Sequence, residues 1–378
     1  MAGIYLHIPF CKHACHYCDF HFSTQLKVKD KMLNALAREL ELRKEELGDE
    51  PIETIYFGGG TPSLLTVDEL ESLVNSVHLH FNVIENPEIT LEANPDDLSN
   101  SALKSFSYSP INRLSIGIQS FFEEDLKLMN RAHNAAQAEQ SLKTAKKYFK
   151  NISIDLIYGI PGMNHQRWKE NIQKALDLEL PHISSYALTV EPKTALKKFI
   201  EKGLVPNVDD EQAQEQFHIL LEILENAGYI NYEISNFGKP DFFSKNNSSY
   251  WQGKPYLGIG PSAHSFDGRT RSWNVRNNIK YIKAIEDDKL PIEREELSIT
   301  DRYNEYVMTG LRTVWGVSLK KIEEEFGKQH LNYLKTQSAK HIQEHLLYLD
   351  GDVLLATKKG KFLVDGIASD LFMVNLVT

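Results

Sequence analysis

Apolar residues follow two alternating patterns along the first 230 residues of the chain. Short segments alternate apolar and polar residues or form continuous apolar runs, and both patterns predict buried β-strands. Between them, apolar residues recur every three or four positions, which predicts amphipathic helices. The predicted strands lie at residues 3–9, 54–57, 88–93, 113–119, 152–157 and 182–188. The predicted helices lie at residues 29–47, 66–81, 99–106, 123–147, 167–178 and 210–226.

Strands that alternate with helices form a parallel sheet covered by helices. Six such units are too few for a complete eight-unit barrel, so the pattern predicts a partial (β/α)6 barrel, an α/β fold, over residues 1–235. Residues 236–298 are irregular in pattern and rich in aromatic residues. Residues 299–378 contain three helical patterns and a hairpin near Gly351, which together predict a small winged-helix-like α+β domain.

Composition and charge narrow the class of protein. The 378 residues are 42% hydrophobic and 25% charged, which is typical of a soluble protein, and no apolar run approaches the ~20 residues of a membrane span. The N-terminal residues lack the pattern of a signal peptide, and three clustered cysteines favour a reducing compartment. The net charge is −10, and residues 299–378 carry ten basic and ten acidic residues. We therefore expect a cytoplasmic protein with no nucleic-acid partner and no integral membrane segment.

The chain has three cysteines, Cys11, Cys15 and Cys18, directly after the first predicted strand. Three thiolates so close together on one loop can bind one metal centre. A [4Fe–4S] cluster normally takes four cysteines, so three would leave one iron free to bind another ligand. The alternative is a zinc ion held by these cysteines with one of three nearby histidines: His13, His16 or His21.

Other distinctive residues also lie at or near the C-terminal ends of predicted strands. Three glycines, from Gly58 to Gly60, follow the second strand, where they let the backbone approach a ligand closely. Glu92 and Gln119 end the third and fourth strands, and Asp155 lies inside the apolar fifth strand, where a carboxylate is costly unless paired. The alternative for the glycines is that they form only a tight turn between two elements. The alternative for Asp155 is a hydrogen-bonded network in the core with a neighbouring barrel residue. Since barrel enzymes have their active sites on this face, we expect these residues to lie together.

The cysteine spacing, with an aromatic residue before the last cysteine, resembles the C-x3-C-x2-C signature of the radical S-adenosylmethionine (SAM) superfamily. Five further blocks resemble the oxygen-independent coproporphyrinogen III oxidase group of that superfamily: residues 5–11, 56–62, 91–95, 115–120 and 155–161. The resemblance implies a [4Fe–4S] cluster on Cys11, Cys15 and Cys18, with SAM on the open iron. It also implies a role in porphyrin or heme metabolism.

The resemblance further implies which residues surround one or two SAM molecules. The glycine motif would meet the amino group of SAM, and Glu92 would accept hydrogen bonds from its ribose hydroxyls. The implied SAM-binding residues are Tyr5, Tyr17, Gly59, Gly60, Thr61, Glu92, Gln119, Arg131, Asp155, Ala187 and His264.

Two departures from the oxidase pattern resemble a heme chaperone subgroup, whose members deliver heme to respiratory enzymes. The oxidases carry a fourth cysteine two residues after the third, where this chain has Phe20. They also carry an extension before the first strand, which here begins at residue 3. We therefore expect a heme carrier rather than an oxidase that decarboxylates coproporphyrinogen III to protoporphyrinogen IX. Enzymatic cleavage of SAM is compatible with either function.

The chaperone subgroup carries a histidine linked to heme binding at the position where this chain has Asn246. An amide is a poor iron ligand compared with imidazole. The aromatic-rich stretch offers an apolar slot, and within it His264 and Tyr250 are the candidate heme ligands. The expected partners are SAM, heme or a porphyrinogen, and a heme-acceptor respiratory protein.

Overall fold

Six parallel strands form an incomplete barrel in the computed structural model, which describes residues 1–374. Their spatial order follows their order in the chain, and each pairs in parallel with the next. The strands are β1 Ala2–Ile8, β2 Ile52–Gly59, β3 Val83–Ala93, β4 Arg113–Gln119, β5 Asn151–Tyr158 and β6 His182–Ala187. The predicted α/β class and the partial (β/α)6 barrel are therefore confirmed.

Helices follow the strands and cover the barrel. They are α1 Lys29–Leu42, α2 Val67–His80, α3 Asn100–Phe106, α4 Glu123–Leu128, α5 Ala135–Ala145, α6 His165–Asp177, α7 Ala195–Glu201 and α8 Asp210–Asn226. Helix α2 begins with a capping box, in which the Thr66 hydroxyl accepts a hydrogen bond from Glu69 N and the Glu69 carboxylate accepts one from Thr66 N. The single helix predicted over 123–147 is two helices, because Asn130 adopts a φ of 56° between them.

Short strands widen this sheet on both sides. Beyond β6 lies β8 Asn236–Gly238, which is antiparallel to β6, and beyond it lies β7 Ile230–Glu233, which is antiparallel to β8. On the other side, β9 Tyr256–Ile259 pairs in parallel with β1, followed by the antiparallel strands β10 His264–Phe266, β11 Thr270–Asn274 and β12 Ile292–Glu296. The helices here are α9 Lys245–Trp251 and α10 Asn278–Glu286. The structure differs from the irregular region expected, because strands of three to five residues are too short to show a period.

One continuous apolar core lies between the sheet and its helices. The side chains of Ile4, Leu6 and Ile8 in β1 are fully buried in it, as are Leu36 and Leu40 of α1. The apolar residues whose alternation predicted β1 are thus the residues that pack against the helices.

A buried polar cluster, called here the Glu39 cluster, joins α1 to the strands beyond β1. Glu39 Oε1 accepts hydrogen bonds from Arg43 Nη1 at 3.0 Å and Asn274 Nδ2 at 2.8 Å. Glu39 Oε2 accepts from Gly260 N at 2.8 Å and Tyr281 Oη at 2.5 Å. The carboxylate therefore uses all four of its acceptor positions inside the protein.

The C-terminal residues form a second unit with its own apolar core. It contains helices α11 Ile299–Leu311, α12 Leu319–Phe326, α13 Lys328–Gln343, α14 Lys358–Lys361 and α15 Val364–Asp370. Its small antiparallel sheet, in the order β13-β15-β14, consists of β13 Val317–Ser318, β14 Leu347–Asp350 and β15 Val353–Ala356. The predicted α+β unit is confirmed, while residues 375–378 of the predicted domain lie outside the described residues. No helix within residues 1–374 is both long enough and apolar enough to cross a membrane.

Candidate functional site

The C-terminal ends of the barrel strands surround a cavity of about 730 Å³. This volume lies within the range of small-molecule binding sites. All three cysteines, Cys11, Cys15 and Cys18, line the cavity. So do nine of the eleven residues predicted to surround SAM: Tyr17, Gly59, Gly60, Thr61, Glu92, Gln119, Arg131, Asp155 and Ala187.

The cysteine loop is held in place by hydrogen bonds at its start and near its middle. Cys11 N donates to Ser23 O at 3.1 Å, and the Thr61 hydroxyl donates to the Cys11 thiol. Farther along the loop, Asn130 Nδ2 donates to Ala14 O at 2.9 Å. The loop is thus anchored to the end of β2 through Thr61 and to the segment between α4 and α5 through Asn130.

The donor set of this loop fits an iron–sulfur cluster. All three cysteines are free and only partly buried. Burial raises the pKa of the Cys11 thiol, and it raises the pKa of the Cys18 thiol to about 11. A bound metal centre favours the thiolate form and so overcomes this shift. Within residues 1–374, no three His, Cys, Asp or Glu side chains are arranged to hold a single metal ion.

Two histidines of the zinc alternative have protein partners instead. His16 Nδ1 lies 2.9 Å from Leu128 O, and His21 Nε2 lies 2.6 Å from Asn278 Oδ1. Each of these rings is therefore oriented by the protein rather than by the three thiols. The arrangement favours a cluster held by cysteines alone.

The glycines bring the end of β2 against the cysteine loop. Gly59 has a φ of 111°, and a Cβ there would lie 2.6 Å from the His7 ring. A Cβ on Gly60 would lie 2.6 Å from Phe10 O, and Gly60 N donates to Ile8 O at 2.9 Å. A side chain at Gly60 would therefore displace the backbone that leads into the cysteines.

Two carboxylates with raised pKa values face the cavity. Glu92 Oε1 accepts from Tyr56 Oη at 2.8 Å and Oε2 accepts from Gly59 N at 3.2 Å. Burial raises the pKa of Glu92 to about 7, and the nearby Asp155 adds to the shift. Burial raises the pKa of Asp155 to about 6, against the opposing effect of the Arg113 cation. Carboxylates that titrate near neutral pH are typical of functional sites.

Arg131 connects the cysteine loop to two strand ends. Its Nη1 donates to Cys15 Sγ at 3.3 Å, and its Nη2 donates to Asn94 Oδ1 at 2.7 Å and to Gly117 O at 2.8 Å. Its Nε is buried and has no hydrogen-bond partner in the part of the chain that the structure describes. The guanidinium therefore places a positive charge between the thiols and the cavity.

Tyr5 and His264, both within the described residues, lie outside the cavity lining. Tyr5 Oη lies 3.2 Å from His7 Nδ1, and its ring stacks on Tyr56 with centroids 6.0 Å apart. His264 is exposed on β10, and its ring lies 6.0 Å from that of Trp273. Their contacts with SAM stay predictions.

Asn246 lies toward the N-terminal ends of the strands and not at the cavity. Its Oδ1 accepts from Thr54 Oγ1 at 3.3 Å, and its backbone N donates to Glu88 Oε1 at 3.2 Å. Tyr250, also on α9, hydrogen-bonds to the Asn246 side chain, and burial raises the pKa of its phenol. Position 246 therefore holds α9 against β2 and β3.

Residues of the C-terminal unit complete the cavity, and no motif in the sequence predicts this role for them. Arg312, Phe362 and Asp365 line it, more than 290 positions after the cysteines. Arg312 forms an ion pair with Asp365, and its guanidinium lies 5.0 Å from the centre of the Trp251 ring. Only the docking of the two units brings these side chains to the barrel.

Comparisons with known proteins agree with this geometry. The model of the radical SAM superfamily matches residues 5–175, and that of the HemN C-terminal domain matches residues 297–363. The chain is 36% identical to the heme chaperone HemW of Bacillus subtilis, over 96% of this chain and 97% of that protein. It is 32% identical to HemW of Mycobacterium tuberculosis, over 98% and 94% of the two chains.

A solved structure shows the same fold. Coproporphyrinogen III oxidase (HemN) from Escherichia coli superposes with a TM-score of 0.85 and covers 98% of this chain and 90% of its own. Because the two sequences are 22% identical, this likeness shows the fold alone.

The partial barrel, the three-cysteine loop and the cavity beside it define a radical SAM protein. Membership of this class implies SAM and a [4Fe–4S] cluster as cofactors. Within it, the chain belongs to the family that includes the heme chaperone HemW of Bacillus subtilis and HemW of Lactococcus lactis, each 36% identical to it. The family expected from the sequence motifs is thereby confirmed.

Proposed function

We propose that this protein is a heme chaperone that binds a [4Fe–4S] cluster and SAM in the barrel cavity and passes heme to a respiratory acceptor. The cofactor site is supported by the convergence of Cys11, Cys15 and Cys18 with Glu92 and Arg131 on one cavity. The heme function is supported by similarity to HemW proteins over nearly the whole chain.

The side chains of the cavity have distinct roles in this proposal. The three thiolates of the loop hold the cluster and leave one iron without a protein ligand. When bound, the cluster supplies the electron for reductive cleavage of SAM. Glu92 offers carboxylate oxygens to the two ribose hydroxyls, and Arg131 offers its cation to the carboxylate of SAM. Arg312, Phe362 and Asp365 of the C-terminal unit complete the wall of the cavity.

Oxidative decarboxylation of coproporphyrinogen III is the second candidate function, because the sequence blocks described above resemble the oxygen-independent oxidase group. The position two residues after Cys18 separates the two candidates. Phe20 occupies it, lines the cavity and is 69% exposed. An exposed apolar ring at the rim suits contact with an apolar ligand or a partner protein, whereas the oxidase group has a thiol there. This observation supports the carrier.

The cofactor proposal is tested by anaerobic reconstitution of the full chain with iron and sulfide. We expect about four irons per chain in the wild type and none in a variant with all three cysteines changed to serine. The matched control is Phe20→Ser, which alters the same loop but leaves the thiols. One tightly held zinc and no uptake of iron would show that the cluster assignment is wrong.

The heme proposal is tested by titrating the reconstituted protein with hemin and following the Soret band. We expect saturation at about one heme per chain and transfer of that heme to an apo-protein acceptor. In a parallel anaerobic assay with reductant, SAM and coproporphyrinogen III, we expect no turnover. Formation of protoporphyrinogen at enzymatic rates would reverse the order of the two candidates, and a flat titration would remove the carrier.

A further inference from the structure

A second cleft, separate from the SAM cavity in its lining, lies between the sheet and the C-terminal unit. Its volume is about 300 Å³. Its walls are aromatic and come from α9, β9, β10, α11 and α12: Tyr250, Trp251, Tyr256, Phe266, Tyr306 and Phe326. Planar apolar walls of this kind suit a flat aromatic ligand.

Three cations line the cleft, and within residues 1–374 two of them form ion pairs with carboxylates of the cleft. Arg271 Nη2 lies 2.9 Å from Glu305 Oε1, and Lys321 Nζ lies 3.8 Å from Glu325 Oε1. Arg302 also lines the cleft, and across residues 1–374 its buried Nε has no hydrogen-bond partner. An unpaired donor of this type is costly when buried, and a carboxylate is its natural acceptor. We therefore expect an anionic group of a ligand to bind Arg302 in this cleft.

The wall of the cleft continues along the hairpin of β10 and β11. Phe266 pairs with Arg271, and His264 pairs with Trp273 two residues farther along. Alternate residues of a strand share one face, so His264 lies on the same face as Phe266, about 7 Å away. Ser265, between them, is buried on the opposite face, where its hydroxyl accepts a hydrogen bond from α1.

We propose that this surface, called here the hairpin site and formed by Arg302, Phe266, Trp273 and His264, binds an iron tetrapyrrole. A propionate carboxylate would bind Arg302 inside the cleft, and His264 would be the axial ligand of the iron. The proposal rests on the heme binding proposed above and names its location.

The dimensions and chemistry of the hairpin site agree with this ligand. The cleft is at the small end of ligand sites, so it takes the carboxylate edge while the macrocycle lies over the exposed face of the hairpin. In a tetrapyrrole the iron lies at the centre and the carboxylates lie at the edge. This separation matches the position of His264, which lies two residues along the strand from Phe266 in the wall of the cleft. The open side of the macrocycle stays accessible to an acceptor.

The test is a titration of the reconstituted full chain with hemin and with metal-free protoporphyrin IX. Arg302→Gln should weaken the binding of both by about tenfold or more, because a charged hydrogen bond is lost, and Arg302→Lys should retain most of the affinity. His264→Ala should shift the Soret band of bound hemin and leave the affinity for protoporphyrin IX unchanged. The matched control is Arg294→Gln, which changes an exposed arginine of β12 outside the cleft.

Two further measurements make the outcomes distinct. Hemin dimethyl ester has no free carboxylate and should bind the wild type and Arg302→Gln equally, and far-UV circular dichroism reports that each variant is folded. If Arg302→Gln and His264→Ala bind hemin as the wild type does, the hairpin site is wrong and the carrier function stands. If the wild type binds neither porphyrin, the proposed function fails and the site fails with it.

Discussion

The Glu39 cluster predicts a large local effect from the loss of a single charge. In Glu39→Gln the side chain keeps its size, but one acceptor oxygen becomes an NH2 donor. That donor must face either Arg43 and Asn274, which are both donors, or Gly260 N, a donor, and the Tyr281 hydroxyl, which can also accept. Two of the four hydrogen bonds are therefore lost in the first orientation, and at least the one from Gly260 N is lost in the second.

The size of this effect follows from the burial of the pair. Removing one charge from a buried ion pair costs about 3 to 5 kcal/mol, and each donor left unsatisfied costs about 1 to 3 kcal/mol. Arg43 keeps three other acceptors, Glu46 Oε2 at 2.6 Å, Gly258 O at 2.9 Å and Ser265 Oγ at 3.1 Å. We therefore expect the lower part of the first range, about 3 kcal/mol of local stability.

The assay is amide hydrogen exchange of residues 256–276, which include the strands that Glu39 holds. A loss of about 3 kcal/mol should speed their exchange about a hundredfold, with little change in β3 to β6. The matched control is Glu46→Gln, which removes a more exposed partner of Arg43 and should cost about 1 kcal/mol or less. Equal effects in the two variants would refute the argument that burial makes the Glu39 cluster strong.

Three further predictions concern the cavity. Gly60→Ala should lower the iron content after reconstitution, because its Cβ would meet the backbone before the cysteines, whereas Gly366→Ala, with open space around it, should not. SAM affinity should rise from pH 6 to 8 as Glu92, whose pKa is about 7, becomes charged, and Glu92→Gln should flatten that profile in a binding titration. Arg131→Gln removes a donor to Cys15 Sγ and should make the midpoint potential of the cluster more negative, as measured by a redox titration followed by electron paramagnetic resonance. An unchanged potential would show that this hydrogen bond does not tune the cluster.

Local signals were sufficient to predict the barrel. The buried residues Ile4, Leu6 and Ile8 produced the period of β1, and Thr66 with Glu69 marked the start of α2. The rule that parallel strands bring their C-terminal ends together then placed the cysteines beside the other polar residues, without knowledge of any contact.

Contacts between distant segments could not be predicted in this way. Strand β9 pairs with β1, from which it is separated by about 250 residues, and it is four residues long. Arg312 and Arg302 look like ordinary surface residues in the sequence, and only the packing of the C-terminal unit brings them to the two cavities. The role of Asn246 also depends on tertiary structure, because its partners Thr54 and Glu88 lie more than 150 positions away along the chain.

The pairing of β9 with β1 also has a consequence for synthesis of the chain. Strand β1 is synthesised about 250 residues before one of its two neighbours, residues 256–259. Until then, one edge of β1 has unpaired backbone groups, and the cysteine loop that follows it has an unfinished support. We therefore expect stable insertion of the metal centre only after residues 256–259 have been synthesised. A truncated product that ends before residue 256 should be bound by chaperones or degraded by proteases and should not bind the cofactor.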